Sequence, residues 1–208
     1  MKGLRLSLAV LVAWMGVTPA LYAQDPAVAV ASNLRVYQSL AESLGDSLAR
    51  MVPAADSSRV NVKIMPPDAA WFLQDAVERP FRAKSIVVAP NDSARYDVEF
   101  GAMEMNVKYT NLRREGIFGP RVLDRSVVLV ARLRLVDRVP GRPVMTAERR
   151  AVFADTIGLS QVEGIEHAYV PATRGTVPPE DFFSGVAEPI VIIGAVAVAI
   201  FLLFTVRS

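Results

Sequence analysis

Eighteen consecutive residues without a charge, 189–206, lie between Glu188 and Arg207. As a helix rising 1.5 Å per residue, that run is roughly 27 Å long, close to the hydrocarbon thickness of a bilayer. A chain of this kind is expected to end in a transmembrane helix over 188–206, with its folded body ahead of it.

The amino terminus gives that body a side of the membrane. Met1 to Ala23 reads MKGLRLSLAVLVAWMGVTPALYA. Lys2 and Arg5 form a short positive start, Leu6 to Val17 is apolar, and Ala23 is the small residue at which a signal peptidase cuts. The expected organisation is a signal peptide over 1–23, an exported domain over 24–159, a linker over 160–187 and the span. It predicts a single-pass protein of the bacterial inner membrane, its domain in the periplasm and its carboxy terminus in the cytoplasm.

There is no cysteine in the chain. Disulfides, thiolate metal sites, thiol nucleophiles and a cysteine-linked lipid are therefore excluded, and the domain must be held by core burial. The formal net charge is +2, and Lys2, Arg5 and Arg207 lie outside the exported body. The body is near neutral and lacks the concentrated basic face of a nucleic-acid partner.

Hydrophobic spacing supplies the elements. Ala27–Ala31 reads as a short strand. Ser32 and Asn33 are good caps for a helix whose apolar positions are Leu34, Tyr37, Ala41, Leu44, Leu48 and Met51, interrupted by Gly45. Val60, Val62 and Ile64 alternate with polar residues, as in a half-buried strand. After Pro66-Pro67, Asp68 is expected to cap a second helix with Phe72, Leu73, Ala76 and Val77 inward. Ser85–Ala89 is a further strand. Tyr96–Tyr109 alternates with a phase slip near Gly101, which predicts a bulge at Gly101-Ala102.

Leu123–Val136 puts Leu123, Val127, Leu129, Ala131, Leu133 and Leu135 on one face, with Arg125 the exception on that parity. The last strand runs from Val144 to about Ile157. The fold class is α+β: β-α-β-α-β and then an antiparallel meander, a mixed sheet with two helices on one face. Opposite charges across a pair favour a register, and like charges oppose it. Indices summing to 232 for the first two long strands set Lys108 against Asp124. Indices summing to 280 for the last two set Arg132 against Glu148 and Val127 against Phe153.

Between Ala27 and Ile157, this order of helices and strands resembles the amino-terminal domain of TolB and the curli-secretion CsgG family. Those domains serve envelope assembly and secretion complexes, so the resemblance implies an envelope role. Here AVAVASN stands where those families carry an aliphatic-Pro-Phe strand, and no functional residue is carried over. The tail FLLFTVRS is similar to the ends of uncharacterised bacterial envelope proteins.

No catalytic, metal-binding or cofactor constellation is expected. His167 is the single histidine. Its neighbour Glu166 is adjacent in sequence, so neither helix nor strand aims both at one ion. A hydrolase reading would have to use His167 as its base. No G-x-S-x-G elbow, P-loop or dinucleotide fingerprint is present.

The expected interaction features lie elsewhere. The loop Thr110–Arg121 carries Arg113, Arg114 and Arg121 around Ile117 and Phe118, residue types enriched at interaction hot spots. Trp71 lies off the helical stripe and marks either a helix–sheet seam or a partner site. Met65, Met103 and Met105 read as core filling. Ala195 and Ala199 give the span a small-residue spacing suited to self-association.

Together these features predict a membrane-anchored, non-catalytic scaffold or assembly subunit of a cell-envelope complex, with an envelope protein partner. A binding module for cell wall or lipid is the alternative.

Overall fold

The computed structural model of the 208-residue chain describes residues 30–53, 58–89, 93–116, 119–139, 141–179 and 182–205. The expected signal peptide lies outside the described residues, as do positions 27–29 of the first expected strand. Val30 and Ala31 are irregular. The described chain therefore opens on a helix rather than a strand.

Its elements are α1 (Asn33–Ala49), β1 (Arg59–Met65), α2 (Ala70–Ala83), β2 (Val87–Val88), β3 (Tyr96–Arg114), β4 (Arg121–Asp137), β5 (Arg142–Gly158), α3 (Val162–Ile165) and α4 (Phe182–Thr205). The sheet order is β2-β1-β3-β4-β5. β1 runs parallel to β2 and β3, and β3, β4 and β5 form an antiparallel meander. This is the expected mixed sheet.

Ser32 caps α1, its hydroxyl accepting the Arg35 N–H at 3.3 Å. Val36, Tyr37, Ala41, Leu44 and Leu48 form the buried stripe at helical spacing. Gly45 belongs to that stripe. A Cβ there would lie 2.8 Å from the Val77 carbonyl oxygen, so this is where the backbones of α1 and α2 meet.

Asp68 does not cap α2. It sits inside a 3-10 turn, Pro67–Ala69, and Ala69 takes the cap position with no side-chain bond. The two prolines fix φ ahead of the turn and start the chain in a tighter coil. The strand expected over 85–89 shrinks to Val87–Val88, because Ser85 turns the chain with φ 59°.

Both helices cover one face of the sheet, α1 over β4 and β5 and α2 over β1. Beneath them Leu123, Val127, Leu129, Ala131, Leu133 and Leu135 of β4 are fully buried. The β4–β5 register is the expected one, with Arg132 opposite Glu148 and Val127 opposite Phe153. The β3–β4 register is two residues from expectation, Tyr109 facing Arg125 and Met105 facing Leu129. Side-chain parity survives a two-residue slip, so the inward faces are unchanged. The bulge expected at Gly101-Ala102 falls between Ala102 and Glu104 and leaves Met103 out of the ladder.

Beyond β5 the chain folds back over the helix-covered side. Val162, Ile165, Val170 and Thr173 are all buried there.

The segment expected to span a membrane is helical, as α4. Among the described residues, however, no helix is long and apolar enough to cross a membrane.

Candidate functional site

A groove of about 630 Å³ lies against the first turn of α2, bounded by the β3 bulge and the turn at 169–172. Each wall follows from local chemistry. On α2 the buried stripe is Phe72, Leu73, Ala76, Val77 and Phe81. Trp71 falls one position off that stripe and is 63% exposed. Its ring meets Phe72 edge-on at 5.1 Å between centroids, so one side of the indole is packed and the other is open.

The second wall is the bulge. An extra residue in one strand re-aims a side chain. Met103, unpaired between Ala102 and Glu104, projects with 54% of its surface exposed. Met65 is also exposed, and Met105 is partly buried. The expectation that these methionines fill the core is corrected for Met65 and Met103, because Met65 falls on the strand parity opposite the buried Ile64 and the bulge re-aims Met103.

The third wall is the turn after α3. Thr173 locks it: its hydroxyl donates to the Val170 carbonyl at 2.7 Å and accepts the His167 N–H at 2.9 Å. Tyr37 of α1 donates to the Ala172 carbonyl at 2.9 Å, and Asn33 donates to the Thr173 carbonyl at 2.7 Å. Held from beneath, the turn presents Tyr169 to solvent with 89% exposure. The His167 ring lies between the two aromatics, 5.7 Å from Trp71 and 6.0 Å from Tyr169. Its Nδ1 accepts the Tyr169 N–H at 3.3 Å.

A buried polar network supports this turn. Arg125 donates to Asp155 at 2.8 and 2.5 Å, to the Ala31 carbonyl at 2.7 Å and to Asn33 Oδ1 at 2.9 Å. Asn33 donates onward to the Tyr109 hydroxyl at 2.9 Å. Burial pushes the Tyr109 phenol up to about 12. Burial also raises Tyr37 well above the ordinary phenol range, with the Glu104 carboxylate adding to the shift. Among the described residues no buried side-chain nitrogen or oxygen lacks a partner.

The arginine loop is shorter than expected, since β3 continues to Arg114 and β4 begins at Arg121. Arg113 is spent inside the hairpin, 2.8 Å from Asp124 and 3.1 Å from the Asn111 carbonyl. Arg114 donates to the Gly119 carbonyl at 3.3 Å and is the ladder partner of Arg121. Asn111, Arg113 and Thr156 hold the Asp124 carboxyl down at about 2. Ile117 and Phe118 lie outside the described residues.

The structure does not bring this tip together with Trp71. From the bulge to Arg113 is ten strand residues, 104–113, or roughly 30 Å. Sequence reasoning found Trp71 and missed Met103 and Tyr169. The phase slip at Gly101 was the available signal for the first. Nothing periodic marks the second.

No protein-family model matches the sequence, and no curated protein matches it. Three solved structures are similar in part. A minor lipoprotein from Acinetobacter baumannii is 13% identical over 57% of this chain and 74% of its own, with a TM-score of 0.32. Lipoprotein GNA1162 from Neisseria meningitidis is 10% identical over 67% and 99%, also at 0.32. The hypothetical protein CT253 from Chlamydia trachomatis is 13% identical over 69% and 95%, at 0.29. None of the three carries the TolB or CsgG name, and likenesses at these scores define no shared function.

Proposed function

We propose that this chain is a membrane-anchored, non-catalytic cell-envelope protein whose exported domain docks a partner polypeptide in the groove beside Trp71. The observation that carries the reading is the groove itself: Trp71, Met103 and Tyr169 are large, exposed and set around one hollow. Exposed aromatics and methionine in one place are the composition of an interface core.

A small-molecule site would be more enclosed and would carry several convergent polar groups. This groove is open, and among the described residues Asp68 is the one charged side chain that lines it. An extended polypeptide suits it better than a compact cell-wall or lipid ligand.

The anchor is part of the same reading. Ile190, Ile193, Val196, Phe201 and Leu203 of α4 are each more than half exposed. A helix that is apolar all round is stable only when something apolar surrounds it, and a bilayer is the simplest such surround. The inner-membrane, periplasm-facing topology follows from the signal-like amino terminus.

The test is site-specific photo-crosslinking from Tyr169 in growing cells, with the full chain and its Trp71→Ala variant compared. One discrete protein adduct that disappears in the variant supports docking. An adduct unchanged by Trp71→Ala, or none in repeated trials, rejects the groove as the docking site.

A further inference from the structure

The groove does not stop at Trp71. Pro66, Ala102 and Met103 line it and also line a second hollow of about 370 Å³ on the helix-free side of the sheet. The two hollows adjoin at these residues, beside the β3 bulge. The second hollow is lined besides by Met65, Gly101, Arg132, Arg134 and Glu99. Gly101 is the ladder partner of Arg132. A Cβ at Gly101 would meet the Arg132 backbone oxygen at 3.6 Å and Cβ at 3.7 Å, so the missing side chain is what leaves the hollow open here.

The cations here differ in their use. Arg134 is paired with Glu99 at 3.1 Å, and Arg138, farther along the same face, is paired with Asp97. Arg132 makes no ion pair or hydrogen bond among the described residues. Glu148, its ladder partner on β5, is not within ion-pair distance. An exposed guanidinium beside an apolar hollow offers two parallel donors to a planar carboxylate.

We propose that the occupant of the groove is an extended peptide segment bearing a carboxylate, which seats on Arg132 while apolar side chains cover Met103 and Trp71. This rests on the docking reading above and adds the partner's chemistry. The carboxylate fixes direction and register along a track whose other charges are Asp68 and the mutually paired Glu99 and Arg134, the role charge plays best at interfaces. Gly101 and Arg132 act as a pair, one leaving room and the other supplying charge.

The experiment is selection of a random-peptide display library on the full chain in detergent micelles, followed by binding of the winners to wild type, Arg132→Glu, Gly101→Val and Trp71→Ala. The expected winners carry Asp or Glu beside an apolar run. They lose about ten-fold or more in affinity for Arg132→Glu and Gly101→Val. Replacing the peptide's acidic residue with Lys restores binding to Arg132→Glu.

Winners that need Trp71 but are indifferent to Arg132 overturn this inference and leave the docking reading intact. Winners indifferent to Trp71, or no winners, overturn both. Arg132 is on the exposed face of β4 and a Cβ at Gly101 meets only ordinary contacts, so circular dichroism of both variants is expected to match wild type.

Discussion

Arg125 and Asp155 are direct ladder partners on β4 and β5, and the guanidinium grips the carboxylate with two bonds of 2.8 and 2.5 Å. The Arg125 side chain is fully buried and that of Asp155 is 29% exposed. This pair anchors the start of α1 through Asn33 and the Ala31 carbonyl. Through Asn33 it also reaches the turn that carries Tyr169.

Removing one side of a buried pair strands the other. Arg125→Leu is expected to destabilise the domain by about 3 kcal/mol, read as a lower urea midpoint for the full chain in detergent. Adding Asp155→Leu is expected to recover part of that loss, because the orphaned carboxylate goes with it. A double variant no better than the single one would mean that Arg125 matters through Asn33 and Ala31 alone.

Gly45→Ala sets two effects against each other. Alanine gains about 1 kcal/mol in helix propensity. Its Cβ, however, would stand 2.8 Å from the Val77 carbonyl oxygen and 3.2 Å from Val77 Cα, both backbone atoms of α2 that cannot rotate away. Forcing two packed helices apart costs about 1–3 kcal/mol. The clash wins, and the thermal midpoint is expected to fall. A rise would show that α1 and α2 separate easily.

Tyr109 and Tyr37 share the alkaline limit. The folded pKa of Tyr109 is raised, to about 12 from an ordinary 10.0, chiefly by burial. Between those values the unfolded phenol loses its proton and the folded one keeps it, so folding holds more protons and stability falls as pH rises. The contribution is complete below about pH 10 and is lost by about pH 12. Denaturant midpoints measured across that window are expected to drop, and Tyr109→Phe is expected to flatten the profile. Tyr37, shifted in the same direction, supplies the remaining slope.

Asp124 works with the opposite sign. Bonds from Asn111, Arg113 and Thr156 depress its folded pKa to about 2 from 3.8. What it adds is present above about pH 4 and lost as pH falls toward 2. The protection of hairpin amides around Arg113 and Asp124, taken relative to their intrinsic exchange rates at each pH, is expected to fall over that range, and Asp124→Asn is expected to remove the dependence.

Charge pairing and period-2 burial made the sheet readable. Arg132 against Glu148 picked out the β4–β5 register, and the same sum of 280 places Asp155 opposite Arg125, the residue that violated the inward apolar pattern. An inward arginine was therefore a signal for a carboxylate on the next strand. The β3–β4 register was less legible because Lys108 and Asp124 look like partners. In the structure Lys108 faces Ser126, and Asp124 turns to Asn111 and Arg113.

The segment after β5 was not legible as part of the core. Val162 and Ile165 share one face of the four-residue α3, too short to show a period, and Val170 and Thr173 are buried in turns held by tertiary bonds. The groove inherits this. Its Trp71 wall follows from the stripe on α2, whereas its Tyr169 wall exists only because Asn33 and Tyr37 reach across from α1.

The membrane reading of α4 makes a prediction with a clear sign. The helix covers Phe182–Thr205, and Ala197 and Val198 lie near the middle of its charge-free part. An arginine at the centre of a spanning helix costs about 2.5–3.5 kcal/mol on insertion scales. Ala197→Arg with Val198→Arg places two such charges on adjacent positions, about 100° apart around the axis, so no single rotation of the helix turns both toward the same neighbour. Wild type is expected to stay in the membrane pellet after an alkaline carbonate wash, and the double variant to move to the supernatant. If both fractionate alike in the supernatant, α4 is not an anchor, and its exposed apolar surface must be covered by protein instead.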